Sequence, residues 1–206
     1  MQTKTKTKVS EIKFGGFGGQ GVILAGMITG KAATIFDKKH STMTQSFGPE
    51  ARGSACSSQV VISDEPIRYP YVRKPQILVI MSQEACDKFL PLLDDNGTLL
   101  MEDELVTVKN VKKGIKVYGI PATRFAEDLG RKIVLNIVMI GFFSAVTGLV
   151  SKEAAIKAIE SSVPKGTEKL NLAAFGKGYE HGSKLVKSGS NGSDKSPAKP
   201  GKGKRG

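Results

Sequence analysis

FGGFGGQG, residues 14–21, is the stretch on which the interpretation of the chain turns. Residues 11–17 before it read as a β-strand running into glycines. Residues 19–36 after it read as a helix, with Val22, Leu24, Ala25, Ile28, Ala32 and Ile35 toward the core. Gly16, Gly18 and Gly21 match G-x-G-x-x-G at this strand-to-helix junction. Glycines permit a tight turn there, and the first free amides of a helix can face an anion. Two readings stay open: the loop packs against a neighbour, or it holds an anion. A dinucleotide fingerprint also needs an acid about 20 positions on, at the end of the second strand. Asp37 has the spacing, but it precedes Lys38-Lys39 and the next strand instead of closing one.

Outward from the loop, strand-like and helix-like segments alternate. Residues 41–47 are a possible second strand, and 55–63 (ACSSQVVIS) a better one. Residues 76–81 (QILVIM) form a continuous apolar run between Pro75 and Ser82, the pattern of a strand buried on both faces. Residues 98–101 and 115–120 are further strands, and from Pro121 to about Lys187 the chain reads as helical. This predicts a single α/β, Rossmann-like domain with a largely parallel or mixed sheet flanked by helices and a helical C-terminal part. Residues 133–150 carry no charge, but Asn136, Gly141, Ser144, Thr147 and Gly148 interrupt the run. That favours a buried core or interface helix over a membrane span.

The chain has 206 residues, enough for one domain with a full core, and a formal charge of +12. The excess sits mostly at the ends. Lys4, Lys6 and Lys8 face no acid within residues 1–9. Lys184, Lys187, Lys195, Lys199, Lys202, Lys204 and Arg205 face only Asp194 within 182–206. Residues 1–9 are read as a basic flexible arm, 10–187 as the folded domain, and 188–206 as a disordered basic tail. The tail has no aromatic residue on which bases could stack, so no specific nucleic-acid partner is expected. Cys56 and Cys86 are too few for a disulfide framework or a four-thiolate metal site, and they fit a reduced, cytoplasmic protein. His40 reads as a surface or strand residue and His181 as a cap on the last helix. Glu102-Asp103-Glu104 reads as solvated charge at a turn. No self-contained catalytic set and no metal-ligand cluster is evident.

A second polar loop, residues 44–53 (TQSFGPEARG), turns at Gly48-Pro49 and offers Gln45, Ser46, Glu50, Arg52 and Gly53. Arg52 could present a planar fork to a carboxylate or phosphate, or fix the loop internally. Taken in order, GFGGQGV (16–22) and QSFGPEARG (45–53) resemble the gamma subunit, or gamma domain, of the 2-oxoacid:ferredoxin oxidoreductases. The likeness continues through ISDEPIRYP (62–70), the 76–81 strand, NIVMIG (136–141) and KLNLAAFGKG (169–178). Ser54 departs from it, standing where family members carry a second glycine after the Arg-Gly pair.

The resemblance implies a subunit of an enzyme that converts a 2-oxoacid, coenzyme A and oxidised ferredoxin to acyl-CoA, carbon dioxide and reduced ferredoxin. It looks closest to the 2-oxoglutarate branch. It implies thiamine diphosphate, Mg and Fe–S clusters held by alpha, beta and delta-type partner subunits, with no cofactor on this chain alone. The chain itself lacks the Gly-Asp-Gly diphosphate motif of thiamine enzymes. Gly16, Gly18, Gly19, Gln20 and Gly21 would then form an interface or anion-binding loop. Gln45, Ser46, Gly48, Pro49, Glu50, Arg52 and Gly53 would shape the same edge. The alternative from another class is a freestanding dinucleotide-binding oxidoreductase using the same glycine loop.

Overall fold

A computed structural model describes residues 9–46 and 55–189. The chain runs β1 (Val9–Phe17), α1 (Val22–Lys31), β2 (His40–Ser46), β3 (Ala55–Ser63), β4 (Ile77–Ile80), α2 (Gln83–Phe89), β5 (Thr98–Glu102) and β6 (Lys116–Ile120). Then follow α3 (Ala122–Asp128), α4 (Leu135–Thr147), α5 (Lys152–Glu160) and α6 (Glu168–Gly189). The strands form one sheet in the order β2-β3-β1-β4-β5-β6. β1, β4, β5 and β6 pair in parallel, whereas β3 runs antiparallel to both β1 and β2. The expected α/β class and mixed sheet are therefore present. All four residues of β4 are buried, as its apolar run requires.

Two cores flank the sheet. The larger joins Ile12, Phe14, Val60 and Ile62 to α1 and the C-terminal helices. The smaller joins Leu78, Ile80 and Leu99 to Ala85, Cys86 and Phe89 on α2. The uncharged stretch contains α4, in which every residue from Leu135 to Ser144 is buried. Phe143 meets Phe14 of β1 with ring centroids 5.7 Å apart, and Gly148 ends the helix in a left-handed turn. α4 is thus a helix walled in by protein on all sides. Among the described residues no helix is long and apolar enough to cross a membrane.

α6 lies along α4 at a distance that side chains would forbid. A Cβ on Gly178 would run into the carbonyl oxygen of Val138, and one on Gly141 into that of Phe175. α5 is clamped at both ends from the α1 side. Lys31 Nζ donates to the carbonyl of Ser161, and Asp37 accepts from the Ser151 amide and hydroxyl.

Four expectations need correcting. The helix after the glycines begins at Val22, not residue 19, because Gly21 (φ 72°) closes the turn first. Its last turn, Ala32–Phe36, widens into a π-turn, with the Asp37 amide bonded to the Ala32 carbonyl. That widening rotates Ile35 outward, leaving it 50% exposed, whereas Leu24 packs against the larger core as expected. His181 is no cap: it lies inside α6, between the rings of Phe125 and Phe142, with Nε2 bonded to the Gly119 carbonyl. Glu102 is fully buried, and its carboxylate accepts from the amides of Leu105 and Thr123. Burial pushes its pKa up, and those two bonds oppose the rise.

Candidate functional site

The glycine loop occupies the end of the sheet where β1 and β4 finish. Its backbone is set from within. Gln20 Oε1 accepts from the Phe17 amide at 2.7 Å, while Gln20 Nε2 donates to the Met81 carbonyl at 2.9 Å. Gln20 therefore ties the ends of the two strands together, and its carboxamide is engaged inside the protein. Gly16 must be small because a Cβ would meet Gln20 Oε1 at 2.6 Å and Val22 Cγ2 at 2.9 Å.

Gly21 answers two demands at once. It adopts φ 72°, and a side chain there would collide with the carboxamide of Asn136. Asn136 is buried at the start of α4 and donates from Nδ2 to the Gly21 carbonyl at 3.3 Å. This latch is a site residue that sequence reading did not assign. Its signals in the sequence were a polar side chain inside an uncharged run and its place at the head of NIVMIG.

Beyond the latch the loop opens outward. Phe17, Gly18 and Gly19 are exposed, and a Cβ on Gly18 or Gly19 would touch nothing within 4 Å. Gly19 has φ 94°. The loop thus presents bare backbone beside an aromatic ring that is 38% exposed.

The second loop leaves and re-enters the sheet at this same edge. Phe17 stands opposite Ala55, and Ser46 opposite Ser57. Gln45 and Ser46 are exposed at the end of β2. Gly48, Pro49, Glu50, Arg52 and Gly53 lie outside the described residues. Glu84 of α2 joins the edge by accepting from the Ala55 amide at 3.1 Å.

Asp37, the acid at dinucleotide spacing, is occupied elsewhere. It precedes β2, and both its oxygens accept hydrogen bonds from Ser151. Cys56 faces the larger core and Cys86 the smaller, on opposite sides of the sheet, and burial pushes both thiols up. Two thiols so placed do not form an iron–sulfur ligand set. Among the described residues no group of three or more His, Cys, Asp or Glu could hold a metal ion. His40 is exposed on β2.

Residues 11–181 match the family described as pyruvate ferredoxin/flavodoxin oxidoreductase. The 2-oxoglutarate synthase subunit KorC of Methanocaldococcus jannaschii is 54% identical over 172 residues, covering 82% of this chain and 92% of that protein. The pyruvate synthase subunit PorC of Methanothermobacter marburgensis is 39% identical over 175 residues, covering 82% and 96%. Among solved structures, the gamma subunit of keto/oxoacid ferredoxin oxidoreductase from Geobacter sulfurreducens PCA has 44% identity and a TM-score of 0.75. That match covers 84% of this chain and 98% of the solved one.

Proposed function

The chain belongs to the pyruvate ferredoxin/flavodoxin oxidoreductase family, and we propose that it serves a complex whose oxoacid is 2-oxoglutarate. It is a gamma subunit of a 2-oxoacid:ferredoxin oxidoreductase, one chain of a multisubunit enzyme. The observation that carries the choice of oxoacid is the 54% identity to a 2-oxoglutarate synthase subunit across 92% of its length. Identity to the pyruvate synthase subunit is 39%.

In this reaction class the oxoacid loses carbon dioxide, its acyl group passes to coenzyme A, and the electrons pass to ferredoxin. Thiamine diphosphate with Mg would supply the electron sink for this decarboxylation, and Fe–S clusters would supply single-electron transfer. We assign these groups to alpha, beta and delta-type partner chains. This chain's own residues act on shape. Gln20 and Asn136 hold the strand ends and α4 in register, so that Phe17, Gly18 and Gly19 stand out as a preformed contact loop. Exposed backbone without side chains allows close approach by a neighbouring subunit. The interface reading of the loop is favoured over an anion pocket because Gln20 spends its polar groups internally.

Purification of the native protein tests the assignment. The chain is expected to co-purify with thiamine- and cluster-bearing chains. The complex should show a kcat/KM for 2-oxoglutarate at least about tenfold above that for pyruvate, a difference of about 1.4 kcal/mol in transition-state binding. Equal or greater efficiency with pyruvate would overturn the choice of oxoacid. A stable lone monomer would overturn the subunit role.

A further inference from the structure

The subunit role does not explain the surroundings of Lys13. It lies in β1 and is 7% exposed. Its neighbours Ile12 and Phe14 enter the larger core, so strand alternation sends Lys13 to the other face of the sheet, under α2. Its Nζ sits 4.6 Å from the centroid of the Phe89 ring, and Lys88 Nζ sits 5.5 Å from the same centroid. Two ammonium groups thus share one aromatic ring, and burial together with the Lys88 charge pulls the Lys13 pKa down.

Two polar side chains lie on the same face of the sheet as Lys13. Gln59 stands opposite Lys13 on β3, and Ser57 stands opposite Gly15, so both project onto the same face. Ser57 is buried and Gln59 half-buried. Among the described residues, neither side chain makes a hydrogen bond, and no carboxylate lies within ion-pair distance of Lys13 or Lys88. The acids on the same elements are engaged elsewhere. Glu11 accepts from the amides of Arg73 and Lys74, Glu84 from that of Ala55, and Asp87 from the Gln83 side chain. A buried cation with a second cation beside it and no carboxylate paired to either is an unfavourable arrangement until an anion completes it.

We propose that Lys13 and Lys88, floored by Ser57 and Gln59, bind a single oxyanion, a carboxylate or phosphate group, on the α2 face of the sheet. The ammonium groups supply the charge, and the hydroxyl and carboxamide supply directed donors. The oxyanion comes either from a small free anion or from an acidic side chain of an adjoining subunit.

Thermal unfolding of the full chain in sodium phosphate against sodium chloride at matched ionic strength tests the site, using Lys13→Met and Lys88→Gln. Phosphate stabilises many proteins by exclusion from their surface, so the readout is the difference between wild type and variants. With a free anion, phosphate raises the wild-type midpoint saturably. Lys88→Gln then weakens the apparent phosphate affinity about tenfold, and Lys13→Met raises the chloride midpoint but loses the phosphate increment. With a subunit carboxylate, the phosphate increments match across the three proteins, but each variant weakens assembly into the complex about tenfold or more. Lys88 is exposed, so Lys88→Gln decides the matter even where Lys13→Met fails to fold. Equal phosphate increments together with wild-type assembly in the variants would overturn the proposal.

Discussion

Replacing Gly178 by valine is expected to destabilise the chain by about 3–5 kcal/mol, against a total stability of roughly 5–15 kcal/mol for a domain of this kind. The cause lies where α6 crosses α4. A Cβ at residue 178 has nowhere to go, because the carbonyl of Val138 already fills its position and the Phe142 amide stands 3.0 Å away. Neither neighbour is a flexible side chain that can swing aside. The helices must separate, and Gly141 against Phe175 shows that the contact is close from the other side as well. Separation strips packing from Phe142, Phe143 and Phe175, which are 0–1% exposed. Gly178→Ala should lose less than Gly178→Val, since its single methyl needs a smaller displacement. Urea unfolding of the purified variants measures both. Midpoints equal to the wild type would contradict the close approach of the two helices.

Gly21→Val carries the second large effect, and it strikes the loop itself. A β-branched side chain at φ 72° is strained regardless of space. Here it also meets the Asn136 Cγ at 2.7 Å, so it pushes away the group that bonds the Gly21 carbonyl. The expected loss is about 2–4 kcal/mol, with complex assembly impaired more than the fold alone would dictate. The two causes can be separated with a smaller side chain. Gly21→Ala combined with Asn136→Ala keeps the backbone strain but removes the carboxamide from the collision, leaving only a close contact with the Cβ of residue 136 at 3.1 Å. The pair should therefore be less harmful than the sum of the single changes by about 1 kcal/mol or more. Strict additivity would mean that Asn136 does not constrain the loop.

The sequence made some of these features visible and hid others for identifiable reasons. The 55–63 strand was legible end to end, since β-branched residues and turn residues mark its limits, and β3 spans Ala55–Ser63. Its antiparallel placement between β1 and β2 was not, because alternation reveals that a strand exists but not which strands lie beside it. The glycine loop announced itself through composition. The reason Gly21 must be glycine did not, for Asn136 lies 115 positions away. Glu102 was misread because an acidic triplet beside a turn normally faces water. Only the fold turns its first member inward to satisfy two amides. Ile35 followed helical spacing that the π-turn then broke.

The charge of the chain shows the same division. Its +12 sits mostly in the two ends, which lie largely outside the described residues. The described body offers mixed surface pairs instead. Asp95 lies between Lys74 and Lys112, and these two hydrogen-bonded cations pull its pKa down to about 2.

Gly18→Trp tests whether this chain docks as a subunit through its glycine loop. Nothing lies within 4 Å of a Cβ at Gly18, and the loop is exposed there. The indole should therefore leave the stability of the isolated chain within about 0.5 kcal/mol of wild type. Co-expression with the partner subunits, followed by native mass measurement and a 2-oxoglutarate- and CoA-dependent ferredoxin reduction assay, reads the consequence. The variant chain is expected to fold but no longer join the complex, with turnover falling at least about tenfold. A variant that assembles and turns over like wild type would contradict docking through this loop.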